Sequence, residues 1–177
     1  MTQRESSPYR TSEKIRRVAW GIVQSTLFGM SFHNWYGFRR LLLRAFGASI
    51  AATSRIRRSA RIEIPWNFSI GSDSSVGDRA ILYCLGPVSI GERVTISQGA
   101  HLCAGTHDYR DPSMALRRST IVIDDDAWIA ADAFVGPDVV VGAGVILGAR
   151  AVALRNLDAW TIYIGNPAVA VKPRPRL

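Results

Sequence analysis

Three histidines, two cysteines and five clustered aspartates are the side chains here best suited to moving protons or attacking carbon. His107 lies in Gly105-Thr106-His107-Asp108-Tyr109, six residues after His101, while His33 stands far away. A neutral imidazole, with an ordinary pKa near ~6.5, can take a proton from a hydroxyl and later return it to a leaving group. Asp108 and Asp111 could orient such a ring or bind a polar substrate. The run Asp124-Asp125-Asp126 reads more simply as turn chemistry, since Asp bonds its own backbone in tight turns. Cys84 and Cys103 could act as nucleophiles only with a lowered pKa and a paired base, and neither has an evident partner. Zinc wants three or four good ligands, and the histidines of this region number two, so no metal is expected. Gly142, Gly144 and Gly148 do not have the spacing of a dinucleotide loop.

What must position these groups is a six-residue repeat. An aliphatic residue recurs at Ile70, Val76, Ile90, Ile96 and Leu102, then at Ile123, Ile129, Val135, Val141 and Leu147. Four residues after each stands a small or β-branched residue: Ser74, Ala80, Val94, Ala100, Thr106, Ala127, Ala133, Val139, Val145 and Ala151. Gly follows the aliphatic residue at positions 71, 77, 91, 136, 142 and 148. Six is wrong for an α-helix and too regular for separate hairpins. It fits short strands joined at corners, three hexads to a triangular coil, with coils stacked about 4.8 Å apart. The reading is a mainly β protein, a left-handed parallel β-helix over residues 50–163. Gly is expected to give backbone freedom near the corners.

Coils starting at Ile50, Ile70, Ile90, Ile123 and Val141 leave extra residues always on the third side. Pro65 to Phe68, Gly86-Pro87 and the loop 108–122 all fall there. One edge therefore bulges in three successive coils, and His107 is read as the last regular residue before the longest bulge. Loops on a rigid scaffold commonly carry function.

The N-terminal third differs in character. Residues 1–61 hold 12 Lys/Arg against 2 Asp/Glu, whereas residues 62–177 hold 10 against 12. A tail over 1–13 precedes a helical segment over 14–49, with Leu41-Leu42-Leu43 and Ala45-Phe46 ahead of Gly47. Two roles suit it: a cap on the first coil, or an interfacial segment touching the inner, anionic face of a membrane. No nucleic-acid motif accompanies the charge, so nucleic acid is not an expected partner. Val18 to Met30 is too short and polar to span a bilayer, and no clean small-residue cleavage site follows it, so no secretory signal is expected. Two cysteines make no disulfide framework, and a cytoplasmic place is expected. Residues 164–177 form a C-terminal extension.

The hexads, Thr106-His107-Asp108-Tyr109, Ala127-Trp128-Ile129 and Gly165-Asn166-Pro167-Ala168 together resemble the hexapeptide-repeat acetyltransferases that act on sugars. Pro65-Trp66-Asn67, Gly136-Pro137 and the run Leu42 to Ala48 match the colanic-acid-biosynthesis group of that family. The resemblance implies a homotrimer with active sites between subunits. It implies direct transfer from acetyl-CoA to a sugar hydroxyl of an exopolysaccharide precursor, with a lipid-linked saccharide as one form of acceptor. His107 matches the catalytic base. Trp128, Ala131, Ala149, Leu154, Arg155 and Lys172 match positions along the acetyl-CoA site, and cations there suit the phosphates of CoA. Tyr83, Cys84 and Asp108 fall on the acceptor side, with Cys84 where related enzymes carry Asn or Asp. Val169 replaces a basic residue common after Asn-Pro-Ala. A non-catalytic β-helix scaffold, or an acyltransferase for a serine or amino-sugar acceptor, would use the same fold.

Overall fold

The computed structural model describes residues 9–176. The chain forms a parallel β-solenoid of about six coils, headed by two helices. Its first face stacks Ser49–Ile50, Phe68–Ile70, Val88–Ile90, Ile121–Ile123 and Val140–Val141. The second stacks Arg55–Ile56, Ser75–Val76, Thr95–Ile96, Trp128–Ile129, Ile146–Leu147 and Thr161–Ile164. The third stacks Arg61–Ile62, Ile81–Tyr83, His101–Cys103, Phe134–Val135 and Val152–Ala153. Equivalent hexad positions pair across coils, as Ile56 with Val76 and Val76 with Ile96.

The repeat does what its spacing demands, with two corrections. All the aliphatic positions are buried, and so are nine of the ten small ones. The exception is Thr106, because the regular coil ends at Ala104 and residues 105–107 leave the solenoid. The second correction concerns glycine. The left-handed backbone falls three residues after the aliphatic position, on Asp73, Arg79, Arg93, Asp126, Asp132, Asp138 and Arg150 at seven corners and on Gly99 and Gly144 at two, so the glycine directly after the aliphatic residue is not the one that bends. Asn and Asp tolerate that region best among residues with a side chain. The glycines directly after the aliphatic residue serve the stacking: a Cβ on Gly77 would lie 2.6 Å from the Gln98 nitrogen, and one on Gly71 2.7 Å from the Gly91 carbonyl carbon. Neighbouring coils approach too closely there for any side chain.

A parallel solenoid is open at its first coil, where carbonyls lack a preceding coil to bond. Two helices, α1 (Thr11–Val23) and α2 (Tyr36–Ala45), supply partners. Along α2, Arg44 Nε donates to the Ile50 carbonyl at 3.0 Å, Arg40 Nη1 to Ser54 at 3.0 Å, and Arg39 Nε to Ile56 at 2.7 Å. From α1, Trp20 Nε1 donates to the Ile62 carbonyl at 2.7 Å. Arg39 is fully buried and also bonds Ser31 Oγ and the Phe32 and His33 carbonyls. Burial pulls its pKa down, yet the surrounding carbonyl oxygens satisfy the cation without a carboxylate. Part of the basic excess in the N-terminal third is therefore structural. The helix expected from residue 14 begins at Thr11 and is not continuous. It widens into a π-turn over Gln24–Phe28 and breaks before α2. The expected tail lies mostly outside the described residues.

At the far end the chain doubles back. Val169–Pro173 pairs antiparallel with Thr161–Ile164, closing the second face. On the third face His101 stacks edge-on between Phe134, 5.3 Å away, and Tyr83, 6.4 Å away. Its Nε2 is buried without a hydrogen-bond partner among the described residues, and burial lowers its pKa. His101 is thus a packing residue of the solenoid wall.

Replacing Arg39 by Met should remove about 3 kcal/mol of stability, because the buried Ile56 carbonyl loses its donor, as do the Phe32 and His33 carbonyls and Ser31 Oγ. Urea unfolding of the two proteins measures this. His101 should make stability fall with acidification. The fold favours the neutral ring, so its contribution is present above the unfolded pKa and lost as pH falls through the lowered folded value. The difference in urea midpoint between pH 7.5 and pH 5 should shrink in His101→Leu.

Candidate active site

His107 sits on a hairpin that projects from the corner after the third face. Gly105–His107 pairs antiparallel with Leu116–Arg118, with His107 opposite Leu116. The expected loop over 108–122 is therefore a built hairpin, and the first face resumes at Ile121. Its returning strand crosses the previous coil at Gly86, where a Cβ would lie 2.1 Å from the Ser119 carbonyl oxygen. The Gly86-Pro87 bulge seen in the sequence makes room for that crossing.

The turn of the hairpin is knit by its aspartates. Asp108 donates its backbone N–H to the Ala115 carbonyl at 3.0 Å, and its carboxylate accepts from Arg110 N at 3.0 Å. The Asp111 carboxylate accepts from Ser113 N at 2.9 Å, and bonds from Ser113 hold its pKa below the usual range. Met114 adopts φ +52° and turns its carbonyl to within 2.6 Å of His107 Nδ1. A carbonyl only accepts, so Nδ1 donates this bond, and in a neutral ring the lone pair falls on Nε2. The ring is solvent-exposed, and the Nδ1 bond fixes its orientation. Asp108, expected beside the acceptor, spends its carboxylate on the turn.

The hairpin is braced from α1. Arg118 Nη2 lies 3.1 Å from Glu13 Oε2, and the Arg118 guanidinium stacks 4.6 Å from the Tyr9 ring. The other face of this cluster is Arg17, 4.3 Å from Tyr9 and paired with Glu63 at 2.7 Å. Sequence reasoning missed this brace, because Glu13 and Arg118 are 105 residues apart. One signal was present: Glu13 is the only acid between residues 6 and 62.

Of the acceptor-side residues, Tyr83 faces outward from the third face and is half-buried near Glu63, Tyr9 and Cys103; burial, then the Glu63 charge, raises its pKa. Cys84 is a correction. It is fully buried, with Sγ 3.2 Å from the Ile64 carbonyl, and burial pushes its thiol up to about 12. Its position just after the strand turns it into the interior, where no acceptor reaches it.

The remaining candidates divide between two regions. Trp128 lies exposed on the second face, its Nε1 donating to Ser97 Oγ at 2.9 Å. Ala131 and Ala149 follow at the corner between the second and third faces, stacked through the Arg150 N–H to Ala131 carbonyl bond. Lys172 lies exposed on the last strand of the second face, in register with Ile162. Leu154 and Arg155 lie elsewhere, at the corner that carries His107 two coils earlier. They line a 450 Å³ cleft with Tyr163, Ala168 and Val169. A groove of 620 Å³ runs up the second face from Tyr36 in the cap, past Arg55 and Arg57, to Ser97 beneath Trp128. The fold thus gathers His107 with Leu154 and Arg155 on one edge, and Trp128, Ala131, Ala149 and Lys172 around another.

Comparison with known proteins agrees with this architecture. No protein-family model matches the chain. It is 39% identical over 166 residues to the WcaF proteins of Escherichia coli K12 and Shigella flexneri, assigned as colanic acid biosynthesis acetyltransferases, covering 94% of this chain and 91% of each relative. A hexapeptide-repeat acetyltransferase of Vibrio cholerae O1 biovar eltor, solved with acetyl coenzyme A, superposes with a TM-score of 0.85 at 20% identity, covering 97% of this chain and 94% of that one. A galactoside acetyltransferase solved with coenzyme A gives 0.85 at 16%, covering 94% and 84%. A maltose O-acetyltransferase of Clostridium difficile 630 gives 0.80 at 19%, covering 95% and 92%. With close identity along nearly its whole length and the solenoid in place, the chain belongs to the hexapeptide-repeat acetyltransferases, in the colanic acid biosynthesis group.

Proposed function

We propose that this chain transfers an acetyl group from acetyl-CoA to a sugar hydroxyl of an exopolysaccharide precursor, with His107 as general base. The observation that carries the reading is the 2.6 Å bond between His107 Nδ1 and the Met114 carbonyl, which leaves Nε2 oriented to receive a proton. The acceptor hydroxyl gives its proton to Nε2 as its oxygen attacks the thioester carbonyl. The tetrahedral intermediate then expels the CoA sulfur, which takes the proton back from the imidazolium. The sugar gains the ester, CoA leaves as the thiol, and the histidine returns to its starting form.

Relatives solved with acetyl-CoA or CoA support the choice of donor, and the WcaF assignment supports a saccharide acceptor. The separation of candidates onto two edges supports a homotrimer. One chain does not set His107 beside Trp128, whereas neighbouring solenoids packed side by side would bring one chain's His107 edge to the next chain's Trp128 face. Trp128, Ala131, Ala149 and Lys172 would then hold the donor with Leu154 and Arg155 across the junction. Lys172 and Arg155 are exposed cations suited to the CoA phosphates. Tyr83, beside the hairpin brace, is the acceptor-side residue that remains accessible.

His107→Ala should lower turnover by about two to four orders of magnitude while leaving acetyl-CoA binding intact. Free-thiol release across a panel of sugars, amino sugars and serine measures turnover, and calorimetry with acetyl-CoA measures binding. Near-normal turnover in the variant would remove His107 from its role. A chain that binds no acetyl-CoA would be a scaffold, and preference for serine or an amino group would move the acceptor class.

A further inference from the structure

The end cap has a second surface that capping does not explain. Trp20 of α1 and Arg39 of α2 point inward to the first coil. At 100° per residue, Ile15, Val18 and Ile22 lie on the back of α1, and Leu41 lies on the back of α2. All four are 60% exposed or more. Between the helices, Phe32 and Trp35 stack on each other at 5.1 Å and are 65% and 50% exposed. Both helix backs face away from the solenoid end, so this apolar surface covers the outer side of the cap. Solenoid caps ordinarily turn a polar face outward. Exposed apolar surface gathered in one place marks a contact.

The sequence around it says what kind. Residues 18–38 contain no charged side chain at all. From residue 14 to residue 62 there are no Asp or Glu and ten Lys/Arg, of which Arg39, Arg40 and Arg44 are bonded to the first coil and Arg17 is paired with Glu63. Lys14 lines a cleft with Val18 in which Arg17 and Arg61 outnumber Glu63, and Arg58 Nη1 reaches the Ser31 carbonyl at 3.4 Å, so a net positive border flanks the apolar surface. A second copy docking end to end would bring two such basic caps face to face. An apolar centre with a cationic border suits an anionic bilayer, whose headgroups pair with the cations while the side chains enter the acyl boundary. No described helix is long and apolar enough to cross a membrane, which fits lying on the surface.

We infer that the outer side of the helical cap docks this protein on an anionic lipid surface, inserting Ile15, Val18, Ile22, Leu41, Phe32 and Trp35. The test uses the intact chain and vesicles of phosphatidylcholine with or without about 30% phosphatidylglycerol, read by flotation; binding to anionic lipid should fall with salt. The wild-type protein should float with the anionic vesicles and far less with the neutral ones. V18S/I22S should lower the bound fraction about tenfold, and K14E/R58E should weaken binding to the anionic vesicles alone. Trp35→Phe should remove part of the fluorescence quenching caused by bromine-labelled acyl chains. Circular dichroism and urea midpoints close to wild type in V18S/I22S would show that the cap still folds. Failure of the wild type to float, or unchanged flotation of V18S/I22S, overturns the inference. So does a surface that instead mediates association, seen as a sedimentation coefficient that rises with concentration and drops in V18S/I22S without lipid. None of these readouts depends on turnover, so their failure leaves the acetyl-transfer reading standing.

Discussion

The structure rests on the backbone ladder that ties each coil to the next. Successive strands lie about 4.8 Å apart, and the hexads repeat inner aliphatic and small residues so that the ladder resumes even after the chain leaves it at the hairpin. That spacing explains the glycines, since at Gly71 and Gly77 two coils come within van der Waals contact of each other's backbone. It also creates the main liability of the fold. A ladder has ends, and an end exposes a row of unpaired carbonyls. Here the row is met by three arginines of one helix and a tryptophan of another, a side-chain substitute for the missing coil.

Period-six patterning made the solenoid legible, because a residue that recurs every six positions meets its copy one coil away. The burial of Ile70, Val76, Ile96 and their equivalents follows from that alone. The same pattern misled at Thr106, whose type suits an inner position although the chain has already turned outward. It also assigned backbone freedom to the glycine directly after the aliphatic residue, when the left-handed corners lie two positions on, mostly at aspartate and arginine and at Gly99 and Gly144. A motif in one dimension does not distinguish a residue that must bend from a residue that must be small.

The candidate site was legible in part. His107 stood out by type and by its place at the bulging edge. What holds it did not: a main-chain carbonyl seven residues on and a carboxylate in the first helix leave no local pattern. Cys84 shows the converse failure. Its neighbour Tyr83 points out and it points in, because side chains alternate along a strand, and a position matched to a relative carries no guarantee of which way this chain turns. The basic N-terminal third divides likewise: Arg39, Arg40 and Arg44 are bonded to the first coil, and charge counting does not separate them from Lys14 or Arg58 at the rim.

The hairpin bearing His107 leaves the third coil, and Leu154 and Arg155 leave the fifth, at the same corner. Their separation along the axis is two ladder steps, about 10 Å. The prism therefore works as a ruler graduated in whole rungs. Lengthening or shortening the chain by one triangle would move the two marks apart or together by a full graduation, with no intermediate setting. A molecule long enough to touch both is gauged by the hydrogen-bond repeat itself, and point substitutions on the walls can change the grip at either mark but not the gap between them.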